Sequence, residues 1–355
     1  MRAATLTAFG SPLVVGEVPD PPDGEVLVEV LATIVPPYAA EVFSGERRYP
    51  LEPPVVPGIG GIGRVRRVGT DATKLTPGDL VWCDSTVRAR DDALTPDITL
   101  QGWSSRGEGG ARLSRYFHDG AFAELMRVPT ENVHPLPADV DPVRWAALGV
   151  HVIPYGGLLA GGLAAGETVL VSGATGNLGS CAVAVALAMG AGRVVAPGRN
   201  RAVLDLLADR FGTRVRPVEL CGDADTDRAA MGANGPVDLV LDLLPPRAPA
   251  SVARAAAITV REHGRVVLMG GVGMLGGADL SLPYPWLMRN SVTVRGQWMY
   301  PRAANVGIIR LVASGALDLA PERVTRFGLA EVDKAVAHSA ASGGAFSRTV
   351  LTPMA

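Results

Sequence analysis

Two glycine-rich stretches carry the spacing most readily turned into chemistry. "PGIGGIG", residues 57–63, sets Gly58, Gly60 and Gly63 in a G-x-G-x-x-G pattern, whereas "GATGNLG", residues 173–179, reads G-x-x-G-x-x-G. Such a loop holds a dinucleotide only where a strand leads in and a helix leads out. The glycines let backbone approach a pyrophosphate, and the helix start offers N–H groups and the positive end of its dipole. The second stretch has that setting. It ends the Val-rich run "ETVLVSG" (167–173), which reads as a strand buried on both faces, and precedes the helix-like "SCAVAVALAMG" (180–190). Gly173, Ala174, Thr175, Gly176, Asn177, Leu178 and Gly179 are therefore candidate cofactor-binding residues. "PGIGGIG" is followed by "RVRRVGTDATKLTPGDLVW", which is strand and turn, so its glycines read as a bend where backbone packs closely.

The residues beyond the second loop select a cofactor. An NAD site commonly places Asp or Glu about 20 residues past the glycines, at the end of the next strand. Here the strand-like "RVVAPG" (193–198) ends in Gly198, with Arg199, Asn200 and Arg201 directly after it. A carboxylate would repel a 2′-phosphate, and a guanidinium can grip one in bidentate fashion. NADP(H) is the expectation, with Gly198, Arg199 and Asn200 beside the ribose.

The elements that must position these residues fall into two textures. With 355 residues, 48% of them apolar, the chain is long enough for two domains. A net charge of −2 gives no electrostatic case for nucleic acid or an anionic membrane, and no apolar run reaches spanning length. Cys83, Cys181 and Cys221 are too scattered for a disulfide framework or a clustered zinc site. The opening "MRAATLTAFGSPLVV" lacks a signal-peptide pattern, so a cytoplasmic location is expected. Up to about residue 150 short strands (25–33, 63–69, 79–83) alternate with Pro- and Gly-rich turns, and 84–119 reads as an irregular polar lobe or functional loop. Beyond 150, strands at 167–173, 193–198, 214–220, 237–243 and 265–270 alternate with helical segments, which predicts a doubly wound parallel sheet in an α/β fold. The tail after 299 reads as two helices and a last strand, "RTVLT", returning to the first domain.

The order of parts resembles a medium-chain dehydrogenase/reductase. The resemblance rests on a "P-G-x-x-x-x-G-x-V" turn, "LTPGDLVW", "DGAFAELMRVP" and "GETVLVSGATGNLG", and runs over nearly the whole chain. It implies a GroES-like catalytic domain (1–149 and 299–355), a Rossmann domain (150–298), an active site in the cleft between them and a homodimer joined along the strand near 290–300. It also implies that the strand-end turns at 241–246 and 266–273 meet the nicotinamide, which adds Leu244, Gly270, Gly271 and Val272 to the candidates. Zinc-dependent members carry a catalytic Cys and a "G-H-E". Here "ATIVPPYAAE" has Pro36 near the Cys position, and Ile59 and Gly60 replace the His and Glu. Residues 84–119 hold no Cys for a structural zinc, so no metal is expected. What remains is similar to the zinc-free quinone oxidoreductase and enone reductase branch, although that branch's "G-V-N-P-x-D" is here Ile34-Val35-Pro36-Pro37-Tyr38-Ala39.

Hydride transfer without zinc requires an acceptor that is already electrophilic, such as an enone, an enal or a quinone, and a donor to the oxygen that gathers charge. Tyr49 and Tyr38 are the candidate catalytic donors, and Trp103, Tyr116 and His118 are candidate pocket residues. His134, His151, His263 and His338 stand in no constellation. The partner is thus a small-molecule substrate. Two readings stay open beside the leading one: a metal-independent alcohol or carbonyl dehydrogenase, and an NADPH-binding scaffold or redox sensor without turnover.

Overall fold

The computed structural model describes residues 1–319 and 323–355. The chain forms two compact units, residues 1–149 with 319–343 and 347–355, and residues 150–318 with 344–346.

The first unit is built on Val26–Ile34, a nine-residue strand of mostly β-branched and leucine side chains that is buried almost throughout. It pairs antiparallel with Gly61–Arg67, Leu125–Val128 and Ser347–Thr352, and Leu80–Cys83 and Val133–Pro135 extend the sheet beyond Gly61–Arg67. The seventh strand, Arg323–Gly328, runs parallel to Ser347–Thr352, and sequence reading missed it. Val26, Val28, Val30, Val65, Val81, Met126 and Val128 fill one face as a continuous apolar cluster. The helix Val332–Ser342 is fixed to the sheet where Ser339 Oγ donates to the Val35 carbonyl at 2.7 Å.

Residues 84–119 are more regular than expected. They hold a small sheet of Thr86–Arg88, Ile98–Leu100 and Ser104–Ser105, followed by the helix Gly107–Tyr116. The helix begins "GEGG", and glycine is about 1 kcal/mol worse than alanine inside a helix, so propensity alone reads this segment as loop. Gly110 is needed for packing, since a Cβ there would approach the Ile98 carbonyl oxygen to 2.5 Å.

The second unit carries six parallel strands in the spatial order Val215–Glu219, Arg193–Gly198, Thr168–Ser172, Val237–Asp242, Val260–Leu268 and Thr293–Gly296. Counted along the chain this is 3-2-1-4-5-6, and the order reverses between Thr168–Ser172 and Val237–Asp242. Ligands of open α/β sheets bind outside the carboxyl ends of strands at such a switch point. The helix Asn177–Ala188 is buried from Gly179 to Leu187, as its run of small and apolar residues requires. The unit continues through the helix Ala303–Ala313 to residue 318 and takes in 344–346, whereas the family resemblance implies a boundary at 299. Close packing explains the extension, because Gly307 leaves room for the Tyr155 ring that a Cβ would overlap. Among the described residues no helix is long and apolar enough to cross a membrane.

Candidate functional site

The 173–179 loop forms the strand–turn–helix that its spacing calls for. Gly173 has φ +85°, a conformation open to glycine, and its carbonyl accepts from Gly176 N at 2.9 Å. A Cβ at Gly179 would overlap that same carbonyl, so the first helical turn folds tightly over the strand end. Gly176 is the N-cap and makes no side-chain cap, which leaves the start of the helix open to an anion. Asn177 Nδ2 donates to the Gly344 carbonyl at 3.1 Å, and Ser180 Oγ accepts from Phe346 N at 3.3 Å, which ties 344–346 to this helix.

The other cofactor candidates gather on the same strand ends. Gly173 lies 3.4 Å, measured from its would-be Cβ, from the Leu243 carbonyl. Gly271 N donates to the Leu244 carbonyl at 2.8 Å, and Gly270 and Gly271 leave space that Leu244 and Pro246 fill. Val272 follows, half-buried. Gly198 lies against the Thr175 side chain, which a Cβ would strike. The three residues after it do different work. Asn200 caps the helix Arg201–Phe211 through Oδ1, and Arg201 pairs with Asp205 at 2.9 Å and Glu219 at 3.4 Å. Arg199 is exposed and, among the described residues, has no ion-pair partner. These glycine cradles and the free guanidinium fit a phosphorylated dinucleotide.

Sequence reasoning missed Asp242. It closes a buried strand at 4% exposure, and burial pushes its carboxyl up to about 6, against the hydrogen bonds of the Ser172 hydroxyl and the Leu244 amide. A carboxylate ending the apolar run "LVLD" (239–242) was the available signal.

In the first unit, Tyr38, Tyr49 and Trp103 come together. The Tyr38 ring centroid lies 6.4 Å from that of Tyr49 and 5.9 Å from that of Trp103, both edge-on. Arg47, absent from the sequence reading, organises the group. Its guanidinium sits 4.1 Å from the Tyr38 centroid, Nε donates to the Tyr49 hydroxyl at 3.2 Å, and Nη1 pairs with Glu41 at 2.7 Å. Burial raises the Tyr38 hydroxyl well above the usual tyrosine range. Tyr116 and His118 make other contacts. Tyr116 packs on Phe117 beneath the Arg127 guanidinium. His118 braces two segments, with Nδ1 3.0 Å from Asp119 Oδ1 and Nε2 3.1 Å from the Glu52 carbonyl. The Asp119 contact raises its pKa.

The turn 57–63 offers zinc nothing. Gly58 and Gly60 take positive φ values, +123° and +58°, and Cβ atoms there would meet Phe122 and the Cys83 carbonyl. Ile59, half-buried, has no donor atom. The nearby Cys83 thiol is pushed up to about 12 by burial, with Asp84 adding to it, so it is no ready thiolate. Among the described residues no three His, Cys, Asp or Glu side chains gather as a metal site.

Residues 22–138 match the alcohol dehydrogenase GroES-like domain, and residues 177–314 match the zinc-binding dehydrogenase family. An alcohol dehydrogenase of Rhizobium meliloti (strain 1021) is 36% identical over 200 residues, 54% of this chain and 55% of the relative. That match therefore spans about half of the relative's length. The human quinone oxidoreductase is 27% identical over 78% of this chain and 74% of its own. The structure of a thermostable alcohol dehydrogenase from Pyrobaculum aerophilum superposes with TM-score 0.76 at 25% identity, covering 99% of both chains. The chain belongs to the medium-chain dehydrogenase/reductase superfamily, a superfamily of oxidoreductases.

Proposed function

We propose that this protein binds NADP(H) at the 173–179 loop and reduces a conjugated enone, enal or quinone without zinc. The reading is carried by one contrast within the chain: the 173–179 loop leaves a helix start open to a phosphate, whereas in the 57–63 turn Ile59 and Gly60 stand where zinc donors would be. When bound, NADPH would supply the hydride. Gly173 to Gly179 would hold the pyrophosphate, and Arg199 the 2′-phosphate. Leu244, Gly270, Gly271 and Val272 would line the nicotinamide end through their backbone. An electrophilic acceptor needs a hydrogen-bond donor at its oxygen rather than a Lewis acid. Tyr49 suits that role, because its hydroxyl accepts from Arg47 and keeps its own proton to give. Tyr38, with its raised pKa, stays protonated in the same cluster.

The names of several relatives favour a second reading, alcohol dehydrogenation. That chemistry needs a group to take the hydroxyl proton, which zinc commonly provides by acidifying the alcohol. The test is NADPH consumption with a panel of enones and quinones, and NADP⁺ reduction with alcohols, each with and without a chelator. Acceptor-dependent oxidation insensitive to chelator is expected. Alcohol-dependent reduction alone would favour the second reading, and tight NADPH binding with no turnover would favour a scaffold or sensor.

A homodimer joined along Thr293–Gly296 is part of the proposal. All four residues of this edge strand are exposed, and Tyr284, Met288 and Trp298 nearby are 76%, 59% and 39% exposed. A monomeric mass in solution would overturn it.

A further inference from the structure

Asp242 touches three strand ends at once. Its carboxyl accepts from the hydroxyl of Ser172, the residue immediately before Gly173, and from the Leu244 amide. A Cβ on Gly270 would stand 2.5 Å from Asp242 Oδ2, so the backbone of that turn presses on the carboxyl. The pairing Ser172↔Asp242↔Leu268 places the side chain at the switch point of the sheet. Asp242 Oδ1 is buried and, among the described residues, has no hydrogen-bond partner.

We propose that Asp242 is a positioning residue that takes up a proton from solvent as the cofactor's pyrophosphate docks on the 173–179 loop. The inference rests on the cofactor reading above. A buried carboxylate with one oxygen unpaired is already the disfavoured form, and an anion arriving beside its strand end disfavours it further. Among the described residues no arginine or lysine bears on the carboxyl. Arg261 and Arg265, on the neighbouring strand, are paired with Asp238 and Glu167, and Asp238, at the start of Asp242's own strand, also accepts from Thr168 N. Arg247, in the following loop, and Arg254, on the helix Ala250–Ala257, are exposed. Burial raises the carboxyl's pKa, against the hydrogen bonding of Ser172 and the Leu244 amide. By reciprocity, protonation of Asp242 must tighten cofactor binding as much as the cofactor raises proton affinity.

The experiment is an NADPH titration by fluorescence from pH 5.5 to 8.0 on the full chain and on Asp242→Asn. Calorimetry at pH 7 in two buffers of different ionisation enthalpy accompanies it. The cofactor's own 2′-phosphate titrates near pH 6, so the difference between the two proteins is the readout. The wild-type Kd is expected to weaken by about fivefold more than that of Asp242→Asn across this range. Wild type should also bind a fraction of a proton that the variant does not. Should Asp242→Asn not fold, Ser172→Ala serves instead, because losing its hydroxyl moves the wild-type inflection to higher pH. Identical pH curves and identical proton uptake, or an unmoved inflection in Ser172→Ala, overturn the role of Asp242 and leave the cofactor reading standing. No NADPH binding by wild type at any pH overturns both.

Discussion

The loops at 57–63 and 173–179 use glycine for opposite ends. In the first, the glycines are crowded from outside: Phe122 at Gly58, the Cys83 carbonyl at Gly60, and Val28 with the Glu29 carbonyl at Gly63. In the second, Gly176 and Gly179 are crowded only by their own loop, at Gly173, and the helix start stays open. Glycine spacing therefore reports close backbone approach in both places. Only the element that follows decides whether the approach is to protein or to ligand.

The difference can be broken or sharpened by substitution. Gly60→Ala should have the largest effect, because its positive φ and the rigid Cys83 carbonyl together cost about 4 kcal/mol. A fall of about 10 °C in melting temperature, with unchanged NADPH affinity of the folded fraction, is expected. Gly179→Ala should also lower the melting temperature, since its Cβ would overlap the Gly173 carbonyl, but unlike Gly60→Ala it should weaken NADPH about a hundredfold (~2.7 kcal/mol) in a fluorescence titration of the folded protein. Equal effects of the two on binding would dissolve the distinction between the loops.

Beneath the second loop, Asp242 has a folded pKa of about 6 against an ordinary 3.8. Between these values the native state binds more protons, so its contribution to stability falls as pH rises through that window and stays low above it. Asp242→Asn should thus raise stability by about 2 kcal/mol at pH 7.5 and by far less at pH 4, read from melting curves. Arg199→Glu should lower the preference for NADPH over NADH about tenfold, measured as a ratio of Kd values. Ile59→His, the smallest change, should leave activity indifferent to zinc, because one donor does not make a site. Zinc-stimulated turnover in that variant would contradict the proposed chemistry.

Much of this was legible in the sequence. Alternating Val-rich runs and helical segments laid out the parallel sheet, and "GATGNLG" stood in the setting its chemistry requires. Less legible were features that depend on distant neighbours. The helix Gly107–Tyr116 was hidden by its glycines, of which Gly110 is kept for packing on Ile98 and Gly109 on Asp97, and Arg47 became notable only once Tyr38, Tyr49 and Glu41 surrounded it. The partners of His118 and Tyr116, the Asp119 carboxylate with the Glu52 carbonyl and the Arg127 guanidinium, could not be read from their residue types either.

At Gly58, Gly102 and Gly120 three chain segments cross with no side chain between them. Gly58 N donates to the Gly102 carbonyl at 3.3 Å, Gly102 N to His118 at 3.1 Å and Gly120 N to Val56 at 2.7 Å. These amides lie outside every helix and strand. They are nonetheless sealed where backbone meets backbone, and opening any one disturbs the other two strands of the crossing. In hydrogen exchange they should behave like core strand amides, so that this loop region reports the unfolding of the whole β unit rather than its local breathing.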